Sequence, residues 1–107
     1  MSYWVNHLMG NSDIEYPLEF LSSLYSELSD TNDEHADVSL THDTEWCISA
    51  FASGLVIWEN VSGQGEPKHM KNISKEKLLS LWHELAVGNI SKIEQEPWLL
   101  GYGESGI

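Results

Sequence analysis

The chain contains no arginine, only five lysines and a single cysteine in 107 residues, against seventeen aspartates and glutamates, so its formal charge is −12. Each scarcity excludes something. Without arginine there is no guanidinium to clamp a phosphate or carboxylate group in two places. A folded chain of this mass exposes roughly 6,000 Å², about one surplus negative charge per ~500 Å². Such a field opposes unaided binding to nucleic-acid backbones or anionic lipid. Cys47 has no second cysteine to close a disulfide with and lies in an apolar stretch, where it reads as a small buried hydrophobe. No apolar run approaches the roughly 18 to 20 residues of a membrane span. The opening MSYWVNHLMGNSD lacks the basic start and apolar run of a secretory leader. A cytoplasmic protein without membrane or direct nucleic-acid contacts is expected.

What the chain does have is core material. Its residues are 41% hydrophobic and 10% aromatic, with five tryptophans, which is too apolar for a disordered acidic tail. One compact domain over residues 1–107 is expected. Residues 2–9 place Tyr3, Val5 and His7 on one parity and Trp4, Asn6 and Leu8 on the other, as in a short strand. Pro17 suits the first position of a helix reaching about Leu28, with an apolar stripe of Leu18, Leu21, Tyr25 and Leu28. Residues 29–37, SDTNDEHAD, read as an exposed acidic connection. Alternation then resumes at Val38 and Leu40, turns near His42 and Asp43, continues through Trp46, Ile48 and Ala50, and turns again at Ser53 and Gly54 before LVIW. That pattern predicts an antiparallel meander. After the loop NVSGQGEP, residues 68–73 supply a further strand.

Ser74 is a good helix cap, Glu76 sits in the first turn, and Leu78, Leu81, Trp82 and Leu85 form a broad apolar face that stops at Gly88. The remaining tail is too apolar to dangle, and Pro97 with Trp98 predicts an extended segment pinned to the core. The whole reads as an α+β domain: an antiparallel sheet of about four to five strands with two main helices packed on one face.

The chemistry of a catalyst is hard to assemble from these residues. The five histidines show no paired spacing on a helix face, and neither an HExxH motif nor paired cysteines are present, so no metal site is expected. Asp30, Asn32 and Glu34 alternate like a calcium loop, but no glycine holds the middle and the twelfth position is Thr41. Cys47 lacks a glycine-rich turn or helix start to support a thiolate. No catalytic residue and no cofactor are assigned. High negative charge combined with many aromatics instead suits a protein that binds a basic partner: carboxylates steer the encounter and aromatics anchor it.

Residues 38–100, with the alternating strand around EWCISAF and the segments GLVIWENV, NISKEKLLSLWHELAVG and IEQEPWLL, resemble in their organisation the small immunity proteins of bacterial polymorphic toxin and contact-dependent growth inhibition systems. The resemblance implies an antitoxin that binds the toxin domain of its own locus, many such domains being basic nucleases, and blocks the active site or substrate entrance. The carboxylates expected to face the toxin are Asp30, Asp33, Glu34 and Asp37 of the acidic connection, together with Asp43, Glu45, Glu59 and Glu66 at strand ends and turns. A monomer or weak dimer is expected. Two other classes share some of these features: an acidic mimic of nucleic acid, and a small ligand-binding or enzymatic α+β domain. The first would bind several unrelated basic nucleases, and the second would carry a concave pocket with convergent polar groups.

Overall fold

A computed structural model describes residues 2–31 and 36–102. Alternating apolar positions build a sheet of seven strands in the order β2-β1-β3-β4-β5-β6-β7, with every neighbouring pair antiparallel. The strands are β1 (Tyr3–Asn6), β2 (Ser12–Ile14), β3 (Asp37–His42), β4 (Trp46–Phe51), β5 (Val56–Asn60), β6 (Lys68–Met70) and β7 (Leu99–Leu100). The α+β class is as the sequence reads, but seven strands replace the expected four to five. The two additions are the edge strands, three and two residues long and exposed throughout. Neither carries the buried alternation that marks a strand in sequence.

Helix α1 (Leu21–Ser26) is flanked by 3₁₀ turns at Leu18–Phe20 and Glu27–Asp30, so the expected single helix is wound more tightly at both ends. Pro17 caps it from the extended region, one position before the first turn. Helix α2 (Lys75–Ala86) begins where Ser74 predicts: its side chain accepts a hydrogen bond from the Lys77 amide, and Gly88 takes the left-handed φ of +85° just past the end. Pro97 and Trp98 lead into β7 with Trp98 packed against the core, as expected, but a short helix that the sequence pattern does not predict, α3 (Ile90–Glu94), precedes them.

Register assigns each strand residue to a face. Val5, Val38, Leu40, Ile48, Ala50, Val56, Trp58 and Met70 point to the helices and form one core with Leu24, Leu81, Trp82 and Leu85. Each fully buried side chain of this size contributes about 1.5–3 kcal/mol by leaving water. The Trp82 indole also donates to the Ile48 carbonyl at 3.0 Å, tying α2 to the middle strand. At one end of this core three indoles lie in a row, Trp46 on Trp58 at 4.5 Å and Trp58 near Trp98 at 6.1 Å. No helix among the described residues is long and apolar enough to cross a membrane.

Candidate functional site

Among the described residues, no helix packs on the opposite face of the sheet. The same register points Trp4 and Asn6, Ile14, Asp37, Ser39 and Thr41, Cys47, Ser49 and Phe51, Ile57 and Glu59, and His69 to that side. The middle of this face is made of small polar groups in cross-strand pairs, Ser39 with Ser49 and Thr41 with Cys47. The Asn6 amide donates to the Ser39 hydroxyl at 3.2 Å, and the Cys47 sulfur lies 3.8 Å from the Ser49 hydroxyl. These side chains are buried, as is Ile57, although none belongs to the main core cluster. Larger neighbours stand around them. Trp4 pairs with Thr41, and Phe51 pairs with Asp37. Glu59 pairs with Cys47 and accepts a hydrogen bond from the Tyr102 hydroxyl at 2.8 Å. Burial pushes the Cys47 thiol up, so it stays protonated at neutral pH, the reverse of what a nucleophile needs.

The carboxylates singled out in the sequence separate into three groups. Asp37 and Glu59 lie on the helix-free face, Asp37 at the first position of β3 and Glu59 within β5. The Asp37 carboxyl is pushed above its ordinary range, first by lost hydration against the sheet and second by the charge of Glu59. Asp43, Glu45 and Glu66 are exposed in the turns at strand ends. There the β3–β4 turn is tied to the β5–β6 loop by the Val61 amide donating to the Glu45 carbonyl at 2.8 Å, and Glu45 holds a left-handed φ of +74°. Asp43 is occupied within the fold, accepting from the Ser2 amide at 3.0 Å and facing His42 Nδ1 at 3.3 Å. Asp30 closes the second 3₁₀ turn on the far side of α1. Asp33 and Glu34 lie outside the described residues.

A further ionic cluster, not anticipated from sequence, sits between β2 and α1. His7 Nδ1 is 2.7 Å from Glu27 and Nε2 is 2.8 Å from Asp13, while the ring packs edge-on against Tyr16. Burial, the largest single influence, pulls this imidazole down, yet the hydrogen bonds and charges of Glu27 and Asp13 outweigh it and raise it above its ordinary value. With a carboxylate on each nitrogen, its cationic form is favoured. Its alternation with Tyr3 and Val5 places it on the helix side, but only the fold shows which acids it meets.

Other chemistry is sparse. No group of three metal-capable side chains occurs among the described residues. A hollow of about 410 Å³ beside α1 is lined by Tyr25, Ser26, Leu28, Ser29 and Ala52, a set without an acid–base pair. No protein-family model, no curated protein and no solved structure matches the chain.

Proposed function

We propose that this protein is an antitoxin that binds a basic bacterial toxin domain encoded at its own locus, a nuclease by expectation, and masks the surface that holds the toxin's anionic substrate. The observation that carries the reading is where the charge is left uncompensated. Seventeen carboxylates meet only five lysines. The lysine–carboxylate pairs Lys77–Glu96 and Lys92–Glu84 both lie among α2, α3 and the segment after them. The sheet's helix-free face and its turn end therefore present carboxylates, Asp37, Glu45, Glu59 and Glu66, that have no cationic partner among the described residues. Such a surface attracts a cationic protein and repels nucleic acid, so it competes for the partner's substrate site without sharing the substrate. The organisation of residues 38–100, similar to that of immunity proteins, agrees with this reading.

The test is calorimetric titration with the C-terminal domain of the protein encoded immediately upstream, at two salt concentrations, with that domain's toxicity assayed in parallel. Tight one-to-one binding that abolishes toxicity and weakens with salt is expected. Absence of binding overturns the reading, and comparable binding to several unrelated basic nucleases replaces it with nucleic-acid mimicry.

A further inference from the structure

The helix-free face of the sheet holds apolar groups that the core does not absorb, next to carboxylates that the chain does not neutralise. Ile14 is 78% exposed and sits directly across from Trp4, itself only half-buried. Four residues along β3 from Thr41, the partner of Trp4, the half-buried Phe51 stands opposite Asp37. Between these two pairs lie the polar side chains of Asn6, Ser39 and Ser49. The arrangement is two apolar contacts separated by neutral hydrogen-bonding groups, with a carboxylate at one margin and Glu59 farther across the sheet.

We infer that this face, and in particular the stretch from Ile14 and Trp4 across to Phe51 and Asp37, is the docking surface for the basic partner. This rests on the antitoxin reading above and names the contact residues within it. The occupant is a protein surface that sets a lysine or arginine against Asp37 and apolar side chains against Trp4, Ile14 and Phe51. Charge complementarity fixes that choice. Asp37 has neither an ion-pair nor a hydrogen-bond partner for its side chain among the described residues. Its ionised form is disfavoured by lost hydration and by Glu59, a penalty that the opposite charge of an incoming cation offsets. A second copy of this chain would bring the same carboxylates and no arginine, and nucleic acid would bring more negative charge. Aromatics beside a charge are the groups that dominate protein interfaces, whereas exposed turn carboxylates at a rim govern mainly the rate of encounter.

The experiment compares variants against the same upstream C-terminal domain by stopped-flow association and calorimetry. Trp4→Ala, Ile14→Ser and Asp37→Asn form one group. Glu45→Gln combined with Glu66→Gln forms the other. The first group is expected to weaken the equilibrium constant by about 30-fold or more for the best single change, through faster dissociation. The second is expected to slow association several-fold with little change in dissociation. Ile14 is so exposed that its replacement leaves the fold intact, and thermal melts of each variant verify this. Unaltered affinity in the first group while the wild-type chain still binds overturns the surface assignment and leaves the antitoxin reading standing. Failure of the wild-type chain to bind overturns both.

Discussion

The two faces of the sheet are built from alternate residues of the same strands, yet they have opposite characters. On the helix side, Leu40, Ile48 and Trp58 stand in one cross-strand row, all at most 1% exposed, and meet Trp82 from α2. On the other side, the neighbouring row of Thr41, Cys47 and Glu59 replaces branched aliphatics with a hydroxyl, a thiol and a carboxylate. The first row is what a helix requires. The second packs small polar groups that bond to one another and lie buried, with the larger residues kept for the margins. The large buried side chains are concentrated on one side of the sheet.

The sharpest way to break that comparison is to cut one large residue on each face. Trp58→Ala removes an indole packed between Trp46 and Trp98 and is expected to cost about 3–5 kcal/mol in urea unfolding. A loss no greater than that of a surface substitution would contradict the division of labour between the faces.

Next comes His7, which ties β2 to α1 on the helix side. Its folded-state proton affinity lies above the unfolded value of 6.5, so its stabilisation is complete below that pH and is lost as pH rises through the raised folded value. The stability gap between wild type and His7→Gln should therefore close on moving from mildly acidic to alkaline buffer, as followed by denaturant titration across pH. A gap that widens with pH would show that the imidazole is not held as a cation.

Smaller effects are expected on the helix-free face. Cys47→Ser keeps a hydrogen-bonding group among Ser39, Thr41 and Ser49 and should cost at most about 1 kcal/mol. In the native protein the thiol should react with an alkylating reagent only on unfolding, as mass spectrometry of timed samples would register. Smallest of all is Ile14→Ser, expected within about 0.5 kcal/mol of wild type in thermal melts because the side chain is already in water. A large loss there would mean that the edge strand belongs to the core.

How much of this is legible in the sequence depends on how each element is stabilised. Helix α2 announces itself because its cap, its apolar stripe and its terminal glycine are all local, and Ser74 and Gly88 do in the fold what their residue types predict. The β3–β4–β5 meander is equally plain from Val38, Leu40, Ile48 and Ala50. Strands β2 and β7 are not, since Ser12, Asp13, Ile14, Leu99 and Leu100 pair by backbone hydrogen bonds with strands already in place and bury nothing of their own. Helix α3 after Gly88 is hidden for a related reason. Ile90 and Ile93 fit one helical turn as well as an extended strand, and packing against α2 decides between them. Among the candidate contacts, acidity is visible in sequence but direction is not. Once Val38 and Leu40 are known to face the helices, alternation alone turns Asp37 to the other side. The same alternation, read from Val5, turns Trp4 to the helix-free face.

The tryptophans also make the protein its own optical instrument. Trp46 and Trp58 are nearly parallel, with an interplanar angle of 6°, close enough for their excited states to couple and to rotate polarised light as a pair. That signal vanishes when β4 and β5 separate, so it reads unfolding of the sheet without a label. Trp4, on the opposite side of the sheet, is outside this assembly. If a partner docks there as proposed, Trp4 emission is expected to change while the signal of the Trp46–Trp58 pair does not.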